Sequence, residues 1–533
     1  MSTFASKPVP EGDKLRGGYY TPEPIARFLA AWVSTAGSRL LEPSCGDGAI
    51  LEHLAAEGMD VSAVELFPAE AAFAMRRTGV QVTCDDFFQW FTPDRQEAFD
   101  GVAGNPPYIR FGSWDEPFRG HALSLMQAQG LRPSKLTNAW VPFVVGSLLA
   151  ARPGGRVALV LPAELLQVGY AAALRSYLVD NCSQVTVVSF TELVFPGILQ
   201  EVVLLLAERG TGPASIRTVE VPNATALDGL KPDTAEAARA PLHGTEKWTK
   251  YYLGIDDIEA LRKVRTDGRL LPLSRYAEVD VGVVTGRNSF FCLPAAESRQ
   301  RGLSAYVRPL VSRSQQLAGL TFTNADLAAH EESSARTRLL ALSREIDLSR
   351  HESVAAYVAE GEADGVPTGY KCRIRKAWWE VPSTWVPDGF MLRQISTHPR
   401  LTANQAEATS TDTVHRVRVR PGVSMAGLAT AAFNSVTFAL AEVLGRSYGG
   451  GILELEPSEC EHLPVPDPAV VTADLVQKVD ELVRERRIED ALDLVDRVVL
   501  IEGLGFEPSE VAGLRQAWVT LRDRRARRGK RPV

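Results

Sequence analysis

Short apolar runs alternate with stretches whose apolar residues recur at helical spacing through the first 210 positions. That alternation predicts a doubly wound, mainly parallel α/β sheet. Ile25, Phe28, Leu29, Trp32 and Val33 share one face of an expected helix over 24–34, with Pro22 or Pro24 in its first turn. Seven strands are expected, at 39–42, 61–65, 80–84, 99–103, 156–161, 185–190 and 201–208, the last hairpin antiparallel. Further helices are expected over 49–56, 138–151 and 170–179, and 110–135 is a polar stretch to which no element is assigned. Beyond 209 the alternation stops. Gly, Pro, Thr and Ala thicken through 211–244, which reads as a linker between a domain at 1–210 and a second, mixed α/β domain at 245–468. Residues 469–533 read as a charged helical segment with a solvated basic tail at 522–531.

The strand ends carry the chemistry, because ligands of an open parallel sheet bind at its carboxyl edge. The first strand ends in Glu42 and the second in Glu65; the third runs into Asp86 and Phe87, and the fourth into Asn105-Pro106-Pro107-Tyr108. Taken singly, each carboxylate reads as well as a strand-end cap; three in succession point to one ligand. The turn Pro43-Ser44-Cys45-Gly46-Asp47-Gly48 lets backbone approach that ligand, but it lacks the third glycine of a dinucleotide site and follows an acid. A phosphate would be repelled there, so a ligand with a cationic or hydroxyl-rich end is favoured. Two consecutive prolines fix φ and remove both N–H donors, leaving the Asn105 amide oxygen and the Pro106 carbonyl as paired acceptors. Such a pair suits an –NH2 group, and Tyr108 offers a flat face to the ring that carries it.

With 533 residues, two or three domains are expected. Six scattered cysteines without a CxxC pair give neither a disulfide framework nor a zinc site, so no metal is expected and a reducing cytoplasm is the expected home. The N-terminus lacks the layout of a signal peptide, and no apolar run reaches membrane-spanning length. The net charge of −7 means that nucleic-acid binding requires locally concentrated cations. One such stretch runs from Lys371 to Arg420, with nine basic residues against four acidic; it includes Trp378-Trp379, read as a buttress or as core, and 415–420, read as a strand with positive side chains at alternate positions.

The order Tyr19-Tyr20-Thr21-Pro22, Leu41-Glu42-Pro43-Ser44-Cys45-Gly46-Asp47-Gly48, Val64-Glu65, Asp86-Phe87 and Asn105-Pro106-Pro107-Tyr108, followed by a large C-terminal half, resembles the γ-class DNA adenine-N6 methyltransferases of type II restriction-modification systems. The resemblance implies a seven-stranded, Rossmann-like class I methyltransferase domain followed by a target-recognition domain. It implies S-adenosyl-L-methionine as cofactor and direct methyl transfer to an adenine flipped out of double-stranded DNA. Thr21, Glu42, Pro43, Gly46 and Gly48 would meet the cofactor's methionine end, Glu65 its ribose, and Asp86, Phe87 and Phe143 its adenine. Asn105, Pro106 and Tyr108 would form the catalytic loop, with Phe195-Pro196 stacking on the flipped base opposite Tyr108. Residues 283–288 and 452–464 resemble segments of the recognition domain; Arg287 and, from the basic stretch, Lys371, Arg373, Arg375 and Lys376 are the expected DNA contacts. A monomer beside a separate restriction endonuclease, not fused to one, is the implied organisation.

Two readings compete. Enzymes that methylate a glutamine side chain in release factors share Gly-Asn-Pro-Pro-Tyr, but they resemble a methyltransferase domain preceded by a small one, whereas over half of this chain follows the seventh strand. A non-catalytic DNA-binding protein of the same fold has no need of paired acceptors. Cytosine-N4 transfer is a minor enzymatic alternative.

Overall fold

The structure, a computed structural model, describes residues 20–192, 194–195, 201–211, 214–233, 240–241, 246–448 and 450–528. Tyr19, Pro196 and the tail beyond 528 therefore lie outside the described residues. The chain forms two compact units, one of residues 1–255 with 448–451 and 526–533, the other of 256–447 with 452–525.

The first unit is built on one sheet. Its strands are β1 (Arg39–Glu42), β2 (Asp60–Glu65), β3 (Val82–Cys84), β4 (Phe99–Gly104), β5 (Ala151–Pro162), β6 (Cys182–Phe190), β7 (Val202–Arg209), β8 (Ser215–Val221) and β9 (Ala240–Pro241). They lie in the order β3-β2-β1-β4-β5-β7-β6-β8-β9. The first five are parallel, β7 runs antiparallel between β5 and β6, and β8 pairs parallel with β6. Near-continuous apolar strands such as Val202–Ala207 and Val157–Leu161 are what a sheet covered on both faces requires. Helix Glu23–Ser34 lays Ile25, Leu29 and Val33, all fully buried, against β4 and β5. Each such side chain contributes about 1.5–3 kcal/mol on burial.

Three sequence expectations change here. The stretch 211–244, read as a linker, contributes β8 to the sheet, and the first unit reaches residue 255, beyond the expected 210. The apolar signal of β8 is weak: only Val219 and Val221 follow period 2, Ile216 falls on the other face, and polar residues separate them, as suits a strand near the sheet's edge. The polar stretch 110–135 contains a helix, Phe118–Ala128. The helix expected over 49–56 is a single turn, Leu51–Leu54.

The second unit holds a five-stranded sheet of Ala277–Asp280, Val414–Val419, Gly389–Leu392, Leu401–Asn404 and Thr321–Phe322, and a four-stranded one of Cys292–Pro294, Arg336–Leu340, Val307–Val311 and Thr409–Ser410. Helix Ala473–Arg484 is part of this unit, not of a separate segment: Asp480 accepts from the Leu320 and Thr321 N–H groups, at 2.6 and 2.9 Å. The basic tail is not simply solvated. Arg525, in helix Pro508–Arg528, is buried against Glu442. The strand at 415–420 presents its alternate cations only in part, at the exposed Arg418 and Arg420. Arg416 is buried, donating to the Val281 carbonyl at 2.8 Å and to Ser383, because the interior there offers backbone acceptors that a guanidinium satisfies. Among the described residues no single helix is long and apolar enough to cross a membrane.

Candidate active site

The sheet order reverses direction between β1 and β4, and a cavity of about 170 Å³ opens there at the strands' carboxyl ends. Thr21, Glu42, Pro43, Gly46, Glu65, Asp86, Phe87, Asn105 and Phe143 all line it, so one pocket gathers most of the residues singled out from sequence. Gly48, Pro106 and Tyr108 are not among its walls. Gly48 has φ +82°, and a Cβ there would come 3.1 Å from that of Ala74, so this glycine serves the packing of the turn against helix Pro68–Thr78.

Asn105 is held from the beginning of the described chain. Its Nδ2 donates to Thr21 Oγ1 at 3.1 Å, which commits the nitrogen side of the amide and orients Oδ1. The Tyr108 hydroxyl lies 3.0 Å from the Val160 carbonyl and 3.3 Å from Asn105 Oδ1. It has one proton to give, and an amide oxygen accepts two hydrogen bonds. Tyr108 also packs on the hydrophobic cluster of the sheet, and Phe195, 5% exposed, is inside that cluster with Phe28, Leu29 and Val202. Phe195 is thus packed in the same cluster that Tyr108 lies against, and it is not among the pocket's walls.

Acidity dominates the pocket. Burial raises the Glu42 carboxyl well above its usual range, and the charges of Asp47 and Glu65 add to it against Arg77 and the Leu51 N–H. Glu42 Oε2 is buried without a hydrogen-bond partner among the described residues. Burial also raises Glu65, although its two oxygens accept from the Gly46 and Phe67 N–H groups, each at 2.9 Å. Asp86 is raised by burial and eased by His121, whose Nδ1 lies 2.8 Å from Asp86 Oδ2; the other carboxylate oxygen caps Phe88 N–H at 3.2 Å. Three crowded, buried carboxylates, one with an unanswered oxygen, fit a ligand bearing an ammonium and hydroxyl groups. The Cys45 thiol is pushed up by burial and by Glu42 and Glu65, which disqualifies it as a thiolate nucleophile.

Aromatic walls complete the site. Phe87 stacks on Phe143 with centroids 5.4 Å apart and planes at 16°. Ile109, Trp114 and Phe118 line the pocket too, and sequence reasoning passed over them together with His121. On the helix the signal was present: Phe118, Ala122 and Met126 recur every four residues, one helical face, but charged neighbours masked it.

The expected DNA contacts are in the second unit. Gly286 (φ +86°) lies so close to Lys371 that a Cβ would meet the lysine's Cβ at 2.9 Å, so the 283–288 loop and the 370–376 segment adjoin. Arg287, Lys371, Arg373 and Lys376 are exposed. Arg375 is not available in the same way, since its guanidinium donates to the Val284 and Thr285 carbonyls at 2.9 and 2.8 Å. Trp378 and Trp379 pack on the cluster of Phe290, Phe291 and Tyr357 beneath.

Residues 1–231 match the family described as N-6 DNA Methylase, and residues 245–500 match Type II methyltransferase M.Eco57I, C-terminal domain. The chain is similar to Type II methyltransferase M.XamI of Xanthomonas campestris pv. amaranthicola, 24% identical over 470 residues that cover 84% of this chain and 85% of that one. It is similar to M.AccI of Acinetobacter calcoaceticus, 20% identical over 466 residues, with 83% of each covered. Of solved structures, the type IIG restriction endonuclease BpuSI is 14% identical, with a TM-score of 0.41, 96% of this chain and 66% of that one covered. A nuclease-deletion mutant of the Type ISP enzyme LlaGI, in complex with a DNA substrate mimic, has a TM-score of 0.49 at 11% identity, with 87% and 55% covered. The chain thus spans under two thirds of the length of these solved proteins.

Proposed function

We propose that this chain, which belongs to the N6-adenine DNA methyltransferases of type II restriction-modification systems, binds S-adenosylmethionine in the acid-lined pocket and methylates the N6 amine of an adenine extruded from duplex DNA. Its cofactor turn, Pro43–Gly48, precedes the catalytic Asn-Pro-Pro-Tyr loop and its recognition half comes last, an order that supports the γ-class subtype. Matches over 1–231 to N-6 DNA Methylase and over 245–500 to the C-terminal domain of a type II methyltransferase favour DNA over a release-factor glutamine as substrate.

The observation that carries the mechanism is the Asn105 amide, fixed by Thr21 at the wall of the pocket. Bound S-adenosylmethionine supplies a methyl group made electrophilic by its sulfonium. Glu42 holds the ammonium, Glu65 the ribose hydroxyls, and Asp86 with Phe87 and Phe143 the adenine. Asn105 Oδ1 and the Pro106 carbonyl accept the two hydrogens of the target amine, turn its lone pair away from the ring, and stabilise the positive charge that develops on nitrogen. Cys45, held as a thiol, forms no covalent intermediate. An amine paired inside the double helix cannot reach Asn105, so the base must leave the stack, and Tyr108 receives its face.

In the second unit Arg287, Lys371, Arg373 and Lys376 contact DNA, while Arg375 braces the segment that carries them. A cytoplasmic monomer working beside a separate endonuclease fits this reading. Sequencing of host DNA for modified bases, with the gene present, deleted, or carrying Asn105→Ala, tests it. Methylated adenine at one short sequence is expected only with the wild-type gene; the same pattern with Asn105→Ala would refute the mechanism.

A further inference from the structure

Leu136 is the most exposed large apolar side chain among the described residues, at 73%. It stands on a turn whose backbone is pinned: Thr137 N–H donates to the Ser134 carbonyl at 2.9 Å, Ser134 N–H to Thr137 Oγ1 at 2.9 Å, and Leu136 N–H to Ser134 Oγ at 3.2 Å. The turn is tied to the catalytic loop, because Ala139 N–H donates to the carbonyl of Ile109, the residue after Tyr108, at 3.0 Å. Leu136 and Ala139 are three positions apart, a span of at most about 11 Å. Arg110, Arg132 and Lys135 are exposed on the same two segments, and Thr137 and Asn138 beneath them are buried. The site therefore presents an aliphatic tip on a hydrogen-bonded turn, with exposed cations on the same two segments, beside the loop that takes the target amine.

We propose that Leu136 is a wedge that enters the duplex as the target adenine leaves it, with Lys135 and Arg132 on the flanking phosphates. This rests on the base-extruding activity proposed above. Extrusion unstacks the neighbouring pairs and leaves an apolar space between them, and aliphatic side chains inserted between base steps restore that contact in other DNA-bending complexes. The cations supply the charge complementarity that brings the turn to the backbone. Because the turn is already fixed, little conformational freedom is lost on insertion.

The test uses the full-length protein and two duplexes carrying the site mapped by modified-base sequencing, one fully paired and one with the target adenine opposite an abasic position, where leaving the stack is easier. Leu136→Ala, a change at an exposed position, should lower kcat/KM on the paired duplex by about tenfold or more and come within about threefold of wild type on the abasic one. Leu136→Met, which keeps an aliphatic tip, should retain most of the rate, and affinity for S-adenosylmethionine should not move in either variant. Equal rates for Leu136→Ala and wild type on the paired duplex, or an equal deficit on both duplexes, would overturn the wedge. A wild-type protein that methylates no adenine in either duplex would overturn the activity itself, a different result.

Discussion

Glu42 in the first unit and Glu442 in the second are both buried, and burial raises both carboxyls above their usual range, yet the two charges are answered differently. Glu442 receives Arg525 on both oxygens, at 2.7 and 3.0 Å, and the arginine's remaining donors reach the carbonyls of Ile395 and Ser396. Glu42 has no such cation, lies among other acids, and turns Oε2 to the wall of a pocket. Where a fold uses a buried charge as structure, the chain supplies its partner. Where it leaves one crowded and unanswered, the partner comes from outside.

Removing the partner should hurt most where the chain supplies it. Arg525→Ala leaves Glu442 buried and alone and should destabilise the protein by about 3–5 kcal/mol, read by urea unfolding; a change below about 1 kcal/mol would mean the pair is not closed. Asn105→Ala should do the reverse, lowering the methylation rate by about 10²–10³-fold with unfolding and cofactor affinity unchanged. Glu42→Gln should weaken S-adenosylmethionine binding by about 1.5–3 kcal/mol in calorimetry while leaving the ligand-free protein at least as stable as wild type. If that variant binds normally, Glu42 is only a strand-end cap.

The smallest effect is in pH. A carboxyl raised in the folded state adds stability that is complete below its unfolded value and is lost as pH rises through the folded one. Ligand-free wild type should therefore gain stability relative to Glu42→Gln on acidification. Its affinity for the cofactor should fall over the same range, because the ammonium needs the ionised carboxylate. Asp496, pushed up to about 6 by burial, contributes to stability with the same sign in the second unit, so the difference between the two proteins is the quantity to follow.

The sequence revealed the carboxyl edge well because parallel strands point one way, so residues that end successive strands must converge. Glu42, Glu65, Asp86 and Asn105 needed only their strands to be found. His121 and Phe118 were hidden because a half-buried helix among charges has too thin an apolar stripe, and Trp114 because it precedes that helix in a stretch without regular structure. In the second unit the letters themselves were ambiguous: Arg375, Arg416 and Arg525 are written like Arg373 and Arg287, but three of them satisfy interior acceptors. Sheet order there is not consecutive, so nothing in the chain's order said which arginine turned inward.

The pairing of β8 with β6 sets where the protein can be cut. A fragment ending near 209 would strip β8 from residues 184–190 and leave the N–H and C=O groups of an apolar strand, including Val185, Val187 and Phe190, open along an edge. Such an edge is a template for another copy of the same chain. A truncation there would report on aggregation, whereas one placed after residue 255 keeps the strand that guards the sheet.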